Sequence, residues 1–349
     1  KYDRHCLHLT EEEKEKYRKE GRKPCIRLKL QDHMDITFND LIRGPVTLNN
    51  DDIGDWVIMK SNGIPTYNFA VVIDDHMMEI THVLRGEEHL SNTPKQIQVY
   101  KYFGWEVPTF GHMTIIINEN GKKLSKRDHN ILQFMSQYRE LGYLPEAIFN
   151  FILLLGWTPN SEKEFFTLEE AKKEFDPSRM SSSPSMFDQH KLNWMNGQYI
   201  KKLSDEEYLK FIKPYLAKAV NIENFNDEKL LFLANMFKEQ IQYGEEIVNL
   251  IKPMYEYKLE ESEEALAMLN LESTPLVLKT FANKLEQADN LEPETLKAMF
   301  KEIANETGVK GKSLYMPLRL KITGQMHGAE IVNIIKLLGK EEILNRVNN

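Results

Sequence analysis

The chain has 349 residues, of which 41% are apolar, so it is long enough to bury about two or three domain cores. Its formal charge of −8 at pH 7 argues against a general affinity for nucleic acid, because phosphate binding depends on clustered cations, but it allows a local basic surface. No run approaches the roughly 18 apolar residues of a membrane span, and two cysteines are too few for a disulfide framework. We therefore expect a cytoplasmic protein that makes no membrane contact.

The residue pattern of the first 60 residues changes from helix-prone to strand-like. Residues 1–23 are charged and helix-prone, and Thr10 followed by three glutamates predicts a capped helix. Residues 24–60 contain the short alternating runs CIRLKL, DITFND and PVTLNN, with Arg43-Gly44-Pro45 as a turn signal. This segment is expected to be a small strand-rich unit.

Helical and strand patterns alternate from residue 66 to residue 117. TYNFAVVIDDHMM (66–78) predicts a helix, ITHVLRG (80–86) a buried strand and HMTIII (112–117) another strand. Between them, LSNTPKQIQVYKYFG predicts a helix with Ser91 or Asn92 as its cap and Gly104 as its end. Short connections between such elements favour an α/β sheet with parallel strands, of which about two are present.

The rest of the chain is mainly helical in pattern. ILQFMSQYRELG, PEAIFNFILLLGW and TLEEAKKEF predict three helices, and SSSPSMFD (181–188) predicts an irregular connection. From about residue 191 onward apolar residues recur at helical spacing, with a division into two bundles expected near residues 272–275. The predicted fold is therefore an α/β region followed by an all-α region.

A cluster of basic residues, GKKLSKRD (121–128), follows the second strand of the predicted sheet. Ligands bind beyond the carboxyl ends of strands in open α/β sheets, and Arg85 ends the neighbouring strand. If the strands are parallel, Arg85 and Lys126 face one crevice, where arginine suits a carboxylate and lysine suits phosphate. The five-residue basic pattern alone favours a solvated surface loop.

Five blocks of sequence carry a resemblance to a known family. Lys123-Leu124-Ser125-Lys126-Arg127 resembles the K-M-S-K-S signature of class I aminoacyl-tRNA synthetases, in the form typical of the glutamate enzymes. The other blocks resemble bacterial-type glutamyl-tRNA synthetase in the family's order: GIPTYNFAVVIDDHMMEITHVLRGEEHLSNTPKQ, FGWEVPTFGHM, YLPEAIFNFILLLGW and KLNWMNGQYI. The resemblance implies the C-terminal half of a Rossmann-type catalytic domain followed by an α-helical anticodon-binding domain.

The resemblance also implies an activity and its site. The family activates L-glutamate with ATP to an adenylate and transfers it to the 3′ end of tRNA, with Mg²⁺ accompanying ATP. Tyr67, Arg85 and Glu88 match glutamate-binding positions, and Lys123 and Lys126 match catalytic ones. The positions that match ATP contacts are Lys123, Ser125, Lys126, Arg127 and His89.

Structural alternatives stand beside these assignments. Tyr67 is as often a core residue on an apolar helix, and Arg85 can be explained as an ion-pair partner of Glu87 or Asp75. Asp74-Asp75-His76 lies on a helix, where adjacent side chains point in different directions, so helix polarity explains it better than a metal site.

One motif of the family is absent from the sequence. The family's H-x-G-H motif, which contacts ATP, does not occur in these 349 residues, and the chain begins at Lys1. We expect a missing N-terminal part and no glutamyl adenylate from this chain alone. Cys6 and His8 match half of a zinc site that some family members carry, and four ligands would need residues upstream.

The C-terminal region carries candidate anticodon contacts. Arg319 and the turn from Gly324 to Gly328 match the family's anticodon-contacting region, and a surface arginine is the alternative. Gln240 occupies the position where enzymes restricted to glutamate tRNA carry an arginine that reads the third anticodon base. The loss of that charge predicts a non-discriminating enzyme that also charges glutamine tRNA with glutamate.

The resemblance divides the chain into five parts and leaves two competing interpretations. One interpretation is the short glutamyl-queuosine tRNA modifier, which lacks an anticodon domain. The other is a non-catalytic tRNA-binding fragment, which would lack ATP chemistry. We expect a monomer that uses tRNA, ATP and L-glutamate. The parts are 1–66 (remainder of the acceptor-stem insertion), 67–117 (second Rossmann half), 118–200 (KLSKR loop and stem-contact helices), and 201–275 and 276–349 (two anticodon-binding subdomains).

Overall fold

A computed structural model describes residues 2–124, 132, 134–223 and 225–348 of the chain. These residues group into two compact units, one of residues 1–125 and 150–188 and the other of residues 126–149 and 189–349. Within the described residues, every strand lies in the first unit and the second unit is helical. No helix in the described part of the chain is long and apolar enough to cross a membrane.

The first unit begins with a short 3₁₀ helix (His5–His8) and the predicted helix α1 (Glu11–Lys19). Thr10 caps α1, because its hydroxyl accepts from the backbone N–H of Glu13 while the Glu13 carboxylate accepts from the N–H of Thr10. The predicted strand-rich unit follows as β1 (Ile26–Leu28), β2 (Asp35–Asp40), β3 (Gly44–Asn49), α2 (Asn50–Ile53) and β4 (Trp56–Met59). β2 pairs antiparallel with β3, and β1 with β4.

The predicted parallel strands are present. Helix α3 (Tyr67–Met77) precedes β5 (His82–Gly86), and after a 3₁₀ helix (Glu87–Asn92) comes α4 (Thr93–Phe103), which Gly104 ends with φ 68°. β6 (Thr109–Met113) lies parallel to β5, with Arg85 opposite His112. Their core includes Val72, Ile97, Val99, Tyr100 and Phe110.

Three details of this region differ from the sequence prediction. The predicted strand HMTIII is broken, because β6 ends at Met113 and a separate β7 (Ile116–Ile117) follows. β5 is not buried: Leu84 is 47% exposed, since β5 pairs only with β6 among the described residues. Asn92 is the N-cap residue of α4 but makes no capping side-chain bond, because the chain enters α4 directly from a 3₁₀ helix.

The three predicted helices after the basic loop are α5 (Met135–Leu141), α6 (Pro145–Gly156) and α7 (Leu168–Glu174), with a 3₁₀ turn at Pro177–Arg179. The predicted irregular segment at 181–188 contains only the two-residue β8 (Ser185–Met186), parallel to β7. β8 supplies a partner for β7, because the N–H of Phe187 donates to the carbonyl of Ile117.

All but one of the remaining helices pack around one continuous apolar core, as their 3.6-residue spacing predicts, while Ala265 of the other helix packs in a separate small cluster with Leu320 and Met326. Its most buried members include Tyr208, Leu216, Phe237, Phe281 and Phe300. The helices are α8 (Gln189–Lys202), α9 (Asp205–Ala219), α10 (Asp227–Asn235), α11 (Glu246–Tyr255), α12 (Glu263–Leu269), α13 (Thr274–Gln287), α14 (Pro293–Thr307), α15 (Lys312–Thr323), α16 (Ile331–Leu338) and α17 (Lys340–Asn348).

Candidate active site and anticodon surface

Arg85 lies at the carboxyl end of β5 and is held by side chains from two neighbouring elements. Its Nε–H donates to Nε2 of His112 at 3.2 Å, and its Nη2 donates to Oγ1 of Thr93 at 2.7 Å and to Oε1 of Gln96 at 2.8 Å. Its guanidinium carbon lies 5.3 Å from the ring centroid of Phe110. These hydrogen bonds fix the plane of the guanidinium fork.

Tyr67, at the start of α3, lies beside this guanidinium. It is 53% exposed, so it is not the core residue that the alternative interpretation described. Burial lowers the pKa of Arg85, and the nearby Tyr67 hydroxyl and Asp75 carboxylate oppose that shift. The Tyr67 ring lies 5.9 Å from that of His89, so two predicted site residues share one wall.

The other structural alternative for Arg85 is only partly met. Glu87 pairs with Arg43 and is therefore not the ion-pair partner of Arg85. Asp75 attracts Arg85 electrostatically, and burial raises the pKa of the Asp75 carboxyl. Arg85 is therefore a half-buried cation at the end of β5 whose hydrogen-bond partners are mostly neutral. Its charge is thus available to an anionic ligand.

The turn after β7 brings Lys123 back toward the end of β5. Gly121 adopts φ 72°, the side chain of Asn118 accepts from the backbone N–H of Lys122 at 3.0 Å, and Lys123 bridges antiparallel to Ile117. Nζ of Lys123 then lies 3.2 Å from Oε1 of Glu88. The predicted phosphate and glutamate regions therefore meet, while Ser125, Lys126 and Arg127 lie outside the described residues.

Glu88 itself is folded back over Gly86. A Cβ added at Gly86 would lie 2.2 Å from Oε2 of Glu88, so only glycine admits this position of the carboxylate. A backbone hydrogen bond and the neighbouring Lys123 lower the pKa of the Glu88 carboxyl. Glu88 is thus a charged group at the rim.

The polar network behind Arg85 was not predicted from the sequence. His112 and Asp40 are fully buried, and Nδ1 of His112 lies 2.5 Å from Oδ2 of Asp40. Thr93 and Gln96, one turn apart on α4, are also buried. Two patterns could have indicated this network: two polar residues at helical spacing in an otherwise apolar face, and a histidine in register with Arg85 on the parallel strand.

The candidate zinc ligands do not gather a metal set. Cys6 and His8 lie in the first 3₁₀ helix and are exposed, and Cys25 is a free exposed cysteine. Among the residues that the structure describes, no group of three histidine, cysteine or acidic side chains is placed to hold a metal ion.

In the helical unit, Arg319 and Gly328 lie together. Nη2 of Arg319, on α15, donates to the carbonyl of Ala329 at 2.8 Å, and a Cβ at Gly328 would lie 3.7 Å from Nη1. Nη1 is buried and has no hydrogen-bond partner among the described residues. Burial also lowers the pKa of Arg319, so this is a partly buried arginine with an unsatisfied donor rather than an ordinary surface arginine.

Gln240 lies in the exposed turn after α10, where its backbone N–H donates to the carbonyl of Phe237 at 2.9 Å. Its side chain is exposed, as a base-reading residue requires. Within the described part of the chain, no hydrogen bond or ring contact joins Gln240 to Arg319 or Gly328.

Comparisons with known families agree with this organisation. The sequence model of the tRNA synthetases class I (E and Q), catalytic domain, matches residues 1–194. The model of the anticodon binding domain matches residues 206–349. The predicted fold class, a class I catalytic region followed by a helical anticodon-binding domain, is confirmed.

Individual relatives specify the family. Over 345 residues the chain is 50% identical to glutamate–tRNA ligase of Bacillus subtilis (strain 168), covering 98% of this chain and 71% of that protein. The glutamate–tRNA ligase of Oceanobacillus iheyensis is 51% identical over 344 residues, covering 97% and 70%. A crystal structure of a glutamate tRNA ligase from Elizabethkingia meningosepticum in complex with its amino acid superposes with a TM-score of 0.88 at 33% identity, covering 98% and 71%. The chain therefore belongs to the glutamate–tRNA ligases, a family of class I aminoacyl-tRNA synthetases.

Proposed function

We propose that this chain takes part in the ATP-dependent attachment of L-glutamate to tRNA through a glutamyl adenylate. The observation that carries the proposal is the locked fork of Arg85 beside Tyr67, with Lys123 brought to the same end of the strands by its turn. A carboxylate and a polyphosphate are the two anions that such a pair of cations suits.

Glutamate recognition is assigned to Arg85, Tyr67 and Glu88. The guanidinium of Arg85 is already oriented, so it binds a substrate carboxylate without losing side-chain entropy at that step. Its half-buried position strengthens the attraction relative to open water. Tyr67 supplies a hydroxyl at the same place, and the exposed carboxylate of Glu88 attracts a cationic group such as the substrate's ammonium.

ATP binding is assigned to Lys123, Ser125, Lys126 and Arg127, together with His89. A carboxylate oxygen of glutamate attacks the α-phosphorus, which forms the mixed anhydride and releases pyrophosphate. Lysine charges stabilise the growing charge on that leaving group, and Mg²⁺ is held mainly by phosphate oxygens and water. The tRNA 3′ hydroxyl then takes the glutamyl group and AMP leaves.

We further infer that these 349 residues alone do not form the adenylate, because they contain no H-x-G-H tetrad. The test is glutamate-dependent pyrophosphate exchange by the chain and by a joined protein, in which the H-x-G-H-bearing segment of a relative precedes residue 1. We expect exchange only from the joined protein. Exchange by the chain alone at ordinary turnover would contradict the inference.

The same absence favours one alternative function, a tRNA-binding module without ATP chemistry. Such a module would bind tRNA with a strong dependence on salt. It would show no glutamate-dependent exchange even as the joined protein, so the same experiment separates the two functions.

The helical unit is proposed to bind the anticodon, with Arg319 and Gly328 at the contact. The division of the chain into five parts, as predicted from the sequence, belongs to the same proposal. The position of the Arg319 guanidinium beside the turn at Gly328 supports this role, because a planar fork suits the oxygens of a nucleotide. Arg319→Lys is expected to weaken tRNA binding about tenfold through loss of the planar fork. Lys297→Gln, which removes one exposed charge on α14, is the control and should change binding little.

We also propose, from Gln240 alone, that the enzyme charges both glutamate and glutamine tRNA. An exposed glutamine lacks the charge and the fork with which arginine would read the last anticodon base. Charging assays on both tRNAs test this, and strict preference for glutamate tRNA would remove it. The monomeric state and the cytoplasmic location remain predictions.

A further inference from the structure

We propose that Asp40 and His112 are positioning residues that set the orientation of the Arg85 guanidinium for glutamate. The inference rests on the proposed role of Arg85 as the partner of a glutamate carboxylate. Neither residue is among those predicted to touch substrate, and both are fully buried behind Arg85. They act on the ligand only through Arg85.

The carboxylate of Asp40 has a fixed orientation. Its Oδ1 accepts from three backbone N–H groups, those of Ile42 and Arg43 at 3.0 Å and of His112 at 3.1 Å. Its other oxygen, Oδ2, therefore has to face Nδ1 of His112, 2.5 Å away. An ionised carboxylate can only accept, so the proton of the histidine lies on Nδ1.

This proton position decides what the other ring nitrogen can do. With Nδ1 protonated and the ring neutral, Nε2 is an acceptor, and it faces the Nε–H of Arg85 at 3.2 Å and the hydroxyl of Thr93 at 3.0 Å. A proton on Nε2 would instead oppose the Nε–H of Arg85, donor against donor. Asp40 thus selects the tautomer that can hold the guanidinium.

The turn after β2 extends this support to the rest of the strand pair. The N–H of Leu41 donates to the carbonyl of Phe110 at 2.8 Å, and Nε of Arg43 donates to the carbonyl of His112 at 3.3 Å. Arg43 also pairs with Glu87. The β2–β3 pair is therefore fastened to the carboxyl end of β6, and its position is passed to Arg85 through Asp40 and His112.

We call the chain of contacts from Asp40 through His112 to Arg85 the relay. The substitution Asp40→Asn tests it, because an amide cannot accept both from the three backbone N–H groups and from Nδ1–H of His112. The three backbone N–H donors require the amide oxygen, so the NH₂ group must face Nδ1 of His112 and drive the proton to Nε2. The control is Asp55→Asn, since Asp55 is also a buried carboxylate but is bonded to Arg4 and the N–H of Leu30.

The measurement is ¹⁵N NMR of the 349-residue chain, before and during titration with L-glutamate. In the wild type we expect the Nδ1–H tautomer of His112, a slowly exchanging Nε–H on Arg85 and a shift of that resonance with glutamate. In Asp40→Asn we expect the Nε2–H tautomer, fast exchange at Arg85 and glutamate binding weaker by about tenfold. Asp55→Asn should keep the wild-type spectrum around Arg85.

Each outcome has one meaning. A wild-type Nε2–H tautomer, or an Arg85 resonance that is unchanged in Asp40→Asn, overturns the relay with or without bound glutamate. If the wild type shows the Nδ1–H tautomer of His112 but glutamate does not shift the Arg85 resonance, the proposed function of Arg85 is overturned instead. If Asp40→Asn does not fold, His112→Gln, which keeps an acceptor, should retain glutamate binding and His112→Leu should lose it, and equal binding by both contradicts the relay.

Discussion

The Nζ atom of Lys123 lies 3.2 Å from a carboxylate oxygen of Glu88, although 35 residues separate them in sequence. Lys123 belongs to the basic loop after β7 and Glu88 to the 3₁₀ helix after β5. Both side chains are about half exposed, so the ion pair contributes little stability and is easily exchanged for a bound phosphate. Under the proposed function, ATP and glutamate would meet at the rim where this pair lies.

Lys123→Ala is expected to raise the KM for ATP in the joined protein about tenfold, because one charge-assisted contact to phosphate is lost. The KM for glutamate should stay close to that of the wild type. Lys122→Ala removes the adjacent lysine and should change neither constant. Steady-state pyrophosphate exchange measures both, and equal effects of the two substitutions would show that Lys123 supplies only general charge.

Arg85→Lys is expected to raise the KM for glutamate on the order of a hundredfold, because lysine keeps the charge but loses the oriented fork. The bonds to His112, Thr93 and Gln96 that hold the fork would also be lost. Pyrophosphate exchange at varied glutamate is the measurement, with the exposed Arg22→Lys as control. A KM for glutamate within twofold of the wild type would contradict the role of Arg85.

The stability of the first unit should fall as the pH is lowered through about 6.5, the ordinary pKa of histidine. Burial lowers the pKa of His112, and the charges of Arg85 and Arg43 act in the same direction, against the hydrogen bond to Asp40. The unfolded chain then binds the proton more readily than the folded chain does. The contribution of neutral His112 is therefore complete above about pH 6.5 and is lost progressively below it.

Asp40 adds to this loss at lower pH. Burial opposes its ionisation, but hydrogen bonds from His112 and the backbone keep the pKa of its carboxyl below the ordinary value. Urea unfolding at several pH values, followed by tryptophan fluorescence, measures the effect. His112→Gln should flatten the slope between about pH 7 and 5, while the exposed His190→Gln should not. A slope that is unchanged by His112→Gln would contradict the assignment.

Gln240→Arg is expected to reduce charging of glutamine tRNA relative to glutamate tRNA, because arginine restores a charged fork at the exposed turn. Asn235→Arg, at the exposed end of α10, adds the same charge nearby and is the control. The measurement is the ratio of kcat/KM values on the two tRNAs. An equal change in that ratio for both variants would show that position 240 does not read the base.

Gly142→Ala should destabilise the helical unit by about 3 kcal/mol, through left-handed backbone strain and overpacking. Gly142 has φ 88°, and an added Cβ would lie 2.6 Å from the backbone nitrogen of Gly244 and 2.9 Å from the Tyr215 hydroxyl. Gly308→Ala has similar strain at φ 73° but open space, so it should cost only about 1 kcal/mol. Urea unfolding followed by circular dichroism compares them, and equal losses would show that the clash relaxes.

Much of the fold was predictable because its signals are local. Thr10 with Glu13, and Gly104 after α4, define helix ends through contacts a few residues apart. The break between β6 and β7 was missed because β7 finds its partner in β8, about 70 residues later. The exposure of Leu84 was missed for the same reason, since burial of a strand depends on neighbours that a local pattern does not contain.

The sequence by itself determined the family, the order of elements and the residue types that suit a carboxylate and a phosphate, because short motifs and helical spacing are written along the chain. Only the tertiary structure decided how Arg85 is held. Asp40, His112 and Thr93 come from three separate elements, and the proton position on His112 follows from oxygens and N–H groups that meet only after folding. The hydrogen bonds that hold Arg85 depend on distances of about 3 Å between atoms, which no spacing in sequence encodes.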